Sequence, residues 1–211
     1  FHPESPFNRL LIVAPPGSGK SRIMIRGIHH NLKKGPKKIL VLFPEDAARD
    51  SFIREIMKHN SIMKTGIEKD DVGSENVRQY LKEKFNLELK TFRQSIGQTK
   101  QYTGTVGGKR TFQTGIPKDE KYDMIIIDEA HEINAPRSSN EFIKTTAKIL
   151  YENLSKWSYK KLFLLTATPV SNGIQDFVWI IDTLIGKQQG QKYIENKVPQ
   201  TKEFRKIMPV L

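Results

Sequence analysis

Cysteine is absent from all 211 residues, which excludes disulfides, thiolate zinc sites and cysteine nucleophiles together. Long apolar runs are missing as well. The longest, Leu10–Ala14, Ile39–Phe43 and Met124–Ile127, fall far short of the ~20 residues a membrane helix needs, so no membrane partner is expected. Residues 1–20 hold no basic start followed by an apolar stretch and a small-residue cleavage site. No secretion signal is read there, and an intracellular setting, cytoplasmic or nuclear, is expected. Acidic residues are scarce: 23 Asp and Glu stand against 35 Lys and Arg, a net charge of +12. Such an excess favours anionic partners, although a merely soluble basic protein carries the same charge. What is present suffices for a folded core, with 37% hydrophobic and 9% aromatic residues. A chain of this length needs no metal or disulfide staple. It opens on Phe1 and closes on Val210-Leu211, which reads as a piece of something longer.

Strand and helix signals alternate, the pattern of an α/β fold with a parallel sheet covered by helices on both faces. Leu10–Val13 is a buried strand that stops at Pro15-Pro16-Gly17, and Met24, Ile28 and Leu32 then recur at helical spacing until Gly35-Pro36. Ile39–Phe43 lacks polar alternation, as a strand covered on both faces does. Ala48, Phe52 and Ile56 mark a helix with Asp46 as its expected N-cap, and Ser74 is expected to cap another through Val77, Leu81 and Phe85. Leu87–Phe92 alternates weakly as a strand. Residues 102–106 and 110–114 flank Gly107-Gly108 as a hairpin. Met124–Ile127 is a further buried strand. Phe142, Thr146, Ile149, Asn153 and Trp157 outline a helix feeding the strand Leu162–Leu165, and a last helix is expected over 174–185. Residues 1–186 therefore form one unit, and the polar, basic stretch 187–211 reads as a linker or the start of another. Trp157 and Trp179 fall at core positions, and Lys33, Lys34, Lys37 and Lys38 read as a solvated turn.

Chemistry gathers at three strand ends. Ala14-Pro15-Pro16-Gly17-Ser18-Gly19-Lys20-Ser21 lies between a strand and a helix, the setting a phosphate loop requires. Gly17 and Gly19 let backbone amides approach phosphate oxygens, and the helix N-terminus adds its positive dipole end. Lys20 has the reach for β- and γ-phosphates, and Ser21 the hydroxyl for Mg2+. Asp128-Glu129-Ala130-His131 follows the Met124–Ile127 strand, where ligands bind in open α/β sheets. Asp128 suits the metal, and Glu129 suits the attacking water and its proton. Thr166-Ala167-Thr168-Pro169 places two hydroxyls at a third strand end. The phosphate loop and the acid pair need each other to make an ATPase that uses ATP and Mg2+.

In this order the three segments resemble motifs I, II and III of superfamily 2 helicases and translocases of the DEAH type, over residues 10 to about 185. Ala14 in place of a leading Gly fits that resemblance. Thr166–Asn172 followed by Asp176 is similar to Swi/Snf-type translocases and to ATPases of large DNA viruses. The resemblance implies the first of two RecA-like P-loop NTPase domains, driven by ATP and stimulated by DNA or RNA. It implies coupling of nucleotide state to the nucleic-acid track through His131, Thr166 and Thr168. Pro44 falls in the place of motif Ia, where Glu45 and Asp46 put two negative charges at a helix start. Lys90-Thr91-Phe92 falls roughly in the place of motif Ib. No Gln-x-x-Gly-Arg-x-x-Arg stretch occurs. In that family it lies in the second RecA-like domain, expected here as a partner, and supplies the arginine finger. Poor hydrolysis by this chain alone is therefore expected. Lys109 and Arg110, with Tyr102 and Phe112, make the hairpin either a grip on nucleic acid or a solvated insertion. The alternative to a motor is an ATP-dependent switch or scaffold, which has little use for Glu129.

Overall fold

The computed structural model describes residues 8–34, 37–59, 74–97, 102–106, 109–112, 115–117, 119–134, 141–169 and 180–184. Along the chain run β1 (Arg9–Val13), α1 (Lys20–Leu32), β2 (Ile39–Phe43), α2 (Asp46–Lys58), α3 (Ser74–Phe85), β3 (Leu87–Thr91) and the single turn α4 (Phe92–Ser95). Then come β4 (Tyr102–Val106), β5 (Lys109–Phe112), β6 (Lys121–Ile127), a 3-10 turn (Ala130–Asn134), α5 (Glu141–Leu154) and β7 (Ser158–Thr166). Residues 180–184 are helical.

The β2 sequence Ile-Leu-Val-Leu-Phe is buried along its whole length because it lies inside the sheet with helices on either side. Its side chains alternate between two cores, as the period of a strand demands. Ile39, Val41 and Phe43 join Met24, Ile28, Phe52, Ile56 and Leu81 of α1, α2 and α3. Leu40 and Leu42 turn the other way, toward Phe92 of α4 and Leu150 and Leu154 of α5. Burying each such leucine or isoleucine contributes roughly 1.5–3 kcal/mol. Helices thus cover both faces, as the sequence pattern implied.

The sheet order is β1-β7-β6-β2-β3, with every pairing parallel. Val13 lies opposite Thr166, and Ile127 opposite Leu164. The strands that precede the three motifs are therefore adjacent and end on one edge. At the opposite edge Lys38 meets Glu120 at 2.8 Å and Glu88 at 3.6 Å, with its ammonium 5.0 Å from the centre of the Tyr122 ring.

Several local expectations are corrected. Asp46 does not cap α2: Glu45 holds the N-cap position without a side-chain bond, and Asp46 in the first turn reaches Arg49 at 2.6 Å. Helix α3 starts at Ser74 itself, whose side chain lies outside the described residues. Trp157 lies beyond α5 and is buried, its backbone N–H donating to the Asn153 carbonyl. Strand β7 begins four residues before Leu162. The hairpin pairs antiparallel with Val106 opposite Lys109, while its Gly107-Gly108 turn lies outside the described residues, as do Trp179 and most of 174–185. Among the described residues no helix is long and apolar enough to cross a membrane.

Candidate nucleotide-binding site

Strand β1 delivers Ala14 to the sheet edge, where its N–H donates to the Thr166 carbonyl at 3.0 Å. The phosphate-loop segment is thereby tied to the end of β7. Pro15 then starts a tight turn in which the Ser18 N–H donates to the Pro15 carbonyl at 3.1 Å. Gly17 at φ 75° and Gly19 at φ 86° occupy the left-handed region that favours glycine. An added Cβ at either would meet nothing within 4 Å, so backbone conformation rather than space selects glycine there. Gly19 is the N-cap of α1 and supplies no side-chain bond to it. The first turn of α1, which begins with Lys20 and Ser21, carries no acidic side chain, so its amide dipole end is not offset by a local negative charge.

Lys20 faces the end of β6. Its ammonium hydrogen-bonds Glu129 Oε1 and lies 3.2 Å from Asp128 Oδ1. Burial pulls the Lys20 pKa down, but the Glu129 hydrogen bond and the two carboxylate charges outweigh it and hold the pKa above its ordinary value. Burial pushes the Asp128 carboxyl up; Lys20 opposes the shift and Glu129 adds to it. Asp128 is fixed from behind by its N–H, which donates to the Leu42 carbonyl at 2.9 Å. Glu129 sits at φ 47°, a left-handed conformation rare for a long side chain and typical of functional sites.

The third motif closes the site. His131 Nδ1 is 2.8 Å from Thr166 Oγ1 and 3.4 Å from Glu129 Oε2. The Thr168 N–H donates to Thr166 Oγ1 at 3.1 Å. Thr166 is fully buried, so its hydroxyl joins His131 to the β7 end without water. A change at Glu129 thus has a contact route through His131 to Thr166 and onward, by the Ala14 N–H, to the phosphate loop.

The donor set fits Mg2+. Asp128 Oδ1 and Glu129 Oε2 are buried and accept no hydrogen bond among the described residues, although each has a cation or imidazole within ion-pair distance. Asp128 Oδ1 is a hard oxygen of the kind Mg2+ takes together with phosphate oxygens. No group of three or more His, Cys, Asp or Glu side chains able to hold a metal occurs among the described residues.

Pro44 and Thr91 lie together as well. They line a cavity of about 540 Å³ with Asp46, Arg93, Glu132 and Thr146. The Thr91 hydroxyl is occupied, accepting the Gln94 N–H at 3.2 Å while Gln94 Oε1 accepts the Thr91 N–H at 2.9 Å. This reciprocal cap starts α4. Sequence reasoning missed Arg49, which is buried and donates to Gln94 Oε1 at 3.1 Å. It also pairs Asp46 at 2.6 Å and Asp50 at 3.0 Å. One of the two negative charges at the start of α2 is therefore already matched. Lys109 and Arg110 sit on β5 opposite Val106 and Thr105, with their side chains outside the described residues.

Residues 3–171 match the family described as type III restriction enzyme, res subunit. A protein of Heliothis virescens ascovirus 3e, assigned as an ATP-dependent RNA helicase, is 26% identical over 180 residues, or 83% of this chain. This chain spans 17% of that relative's length. The Sulfolobus solfataricus SWI2/SNF2 ATPase core, solved with double-stranded DNA, shares the fold with a TM-score of 0.55 at 15% identity. The superposition covers 89% of this chain and 34% of that one.

Proposed function

The chain belongs to the type III restriction enzyme res-subunit family, and from that membership we propose that residues 1–186 are the N-terminal, ATP-binding RecA-like domain of a nucleic-acid-dependent helicase or translocase. The observation that carries the proposal is the meeting of the Lys20 ammonium with Asp128 and Glu129 across two strand ends. A lysine held charged beside an acid pair, at the foot of a glycine loop, suits a triphosphate and its hydrolysis.

In this reading the amides of Gly17 to Ser21 and the Lys20 ammonium take the β- and γ-phosphates. Ser21 and Asp128 would hold Mg2+, which when bound supplies positive charge against the phosphate oxygens. Glu129, released from Lys20 when phosphate replaces it, orients water and accepts its proton. His131, Thr166 and Thr168 pass the state of that carboxylate to the neighbouring loops. Pro44 and Thr91, at the ends of β2 and β3, border the cavity where a DNA or RNA strand would run. Phosphate contact there falls to backbone amides and Arg93, since the Thr91 hydroxyl is committed to its cap. The ascovirus relative's name and the DNA complex of the SWI2/SNF2 core support a nucleic-acid track. The short share of each that this chain spans supports a second RecA-like domain as partner.

The position of Glu129 favours a motor over a passive switch, because an ATP switch needs no carboxylate beside the phosphate lysine. The test is ATP turnover by the complete protein with and without single-stranded DNA and RNA. Stimulated turnover in the wild type, lost in Glu129→Gln, is expected. Turnover that survives Glu129→Gln contradicts the assignment.

A further inference from the structure

On the outer edge of the sheet, beside β3, lies a second cavity of about 200 Å³. Its wall is basic: Arg78 and Lys82 come from α3 and Lys90 from β3. The single carboxylate of that wall, Glu88, lies 3.6 Å from the Lys38 ammonium. Neither Lys82 nor Lys90 makes a hydrogen bond or ion pair among the described residues. Burial lowers the Lys90 pKa, and the Lys82, Arg78 and Lys38 charges add to that against the opposing pull of Glu88. Three cations thus line one small hollow in which Lys90 is half-buried, a setting that favours an anion.

The fourth wall is Gln94. Its Oε1 is taken by Arg49 at 3.1 Å and by the Thr91 N–H at 2.9 Å. The amide can therefore turn only its N–H groups toward this cavity, adding a neutral donor to the cations. The cavity exceeds several-fold the ~30 Å³ share of one liquid water, which leaves room for a phosphate group. It also lies across the β3–α4 junction from the 540 Å³ cavity: Thr91 and Arg93 line one, Lys90 and Gln94 the other. A strand leaving the larger cavity past β3 meets the smaller one next.

We propose that Arg78, Lys82, Lys90 and Gln94 form a phosphate-diester pocket that holds the nucleic-acid backbone where it leaves the strand-end cavity. The pocket rests on the nucleic-acid reading given above and extends the track to the sheet's edge, where Arg78 and Lys82 stand outside every motif of the sequence. It reads charge and not base, so it serves DNA and RNA alike.

The test is fluorescence anisotropy with labelled dT20 and rU20 over a salt series, comparing wild type with the double variant Lys82→Gln, Lys90→Gln. The double variant is expected to bind about fivefold more weakly near 0.1 M salt, with the log–log salt slope reduced by about 0.7 for one lost phosphate. The pair Lys82→Arg, Lys90→Arg should keep wild-type binding, and Lys33→Gln, Lys34→Gln, at the far end of α1, should keep the wild-type slope. Thermal melts and ATP binding equal to wild type in every variant separate this effect from misfolding. Unchanged affinity and slope in the Lys82/Lys90 glutamine pair overturns the pocket. So does an equal loss in the Lys33/Lys34 pair, which would mark bulk charge. Loss of a polyglutamate peptide with both oligonucleotides retained overturns it in favour of an acidic peptide. A wild type that binds ATP and neither oligonucleotide sinks the nucleic-acid reading itself, and the pocket with it.

Discussion

Lys20 holds two carboxylates at once. On the function proposed above, this pairing keeps Glu129 from acting on water, and a γ-phosphate drawing Lys20 away would free it. The raised Lys20 pKa keeps the ammonium charged throughout the neutral range, so this exchange needs no proton transfer. Glu129→Gln in the complete protein should retain mant-ATP binding within about twofold and lose at least ~100-fold in turnover, the usual weight of a general base. Parallel loss of binding and turnover would make Glu129 a binding group instead. Gly19→Ala forces φ 86° on an L side chain and should cost about 1–2 kcal/mol in a urea melt. An unchanged midpoint would show that the loop is free to move. That the Gly-Lys-Ser and Asp-Glu segments meet at one end of the sheet was legible because phosphate and water chemistry restrict residue type and spacing. The left-handed Glu129 and the buried Arg49 were not, since backbone strain and an ion pair between neighbouring turns leave no periodic trace.

At the level of elements, Asp123 fastens the starts of β2 and β6. Its Oδ2 accepts the Lys38 N–H at 3.0 Å, its own N–H donates to the Lys38 carbonyl at 2.9 Å, and Lys160 bonds Oδ1 at 2.7 Å. Burial alone would raise its pKa; the Lys160 and Lys38 bonds outweigh that and hold it below the usual value. A depressed carboxyl pKa gives stability that is complete above the unfolded value, ~3.9, and lost as pH falls through the folded one. Asp123→Ala should therefore cost about 1–3 kcal/mol at pH 7, with the gap to wild type closing below pH ~3.9. A gap constant with pH would assign the loss to packing. Trp157, buried beside α5, should cost about 3–5 kcal/mol as Ala. As Phe it should cost much less, because the indole N–H is buried and donates to no acceptor among the described residues. The elements were readable where apolar runs were unbroken, as in β2 and β6. Element ends were less so: Asp46 looked like a cap, but its carboxylate is drawn to Arg49 instead. Strand order was not readable, because all the parallel strands share one apolar signature.

For the whole molecule, what matters is that β1, β7 and β6 are neighbours although they are far apart in sequence. Their parallel register puts the glycine loop, the threonine pair and the acid pair on one edge, which turns three separate segments into one site. The sequence carries no Gln-x-x-Gly-Arg-x-x-Arg stretch. Without an arginine finger, phosphoryl transfer loses about 10³–10⁵ in rate. These 211 residues alone should therefore bind nucleotide but turn it over slowly, with little response to DNA or RNA. Fast, stimulated turnover by this chain in a coupled ATPase assay would contradict that division of labour. The most direct measurement is a calorimetric titration of the chain with a slowly hydrolysed ATP analogue and Mg2+, repeated on Lys20→Ala. Saturable binding of one nucleotide per chain, weakened at least ~10-fold in the variant, a loss of about 1.4 kcal/mol, is expected. No saturable heat, or equal affinity with and without the Lys20 ammonium, would contradict a triphosphate site at these three strand ends.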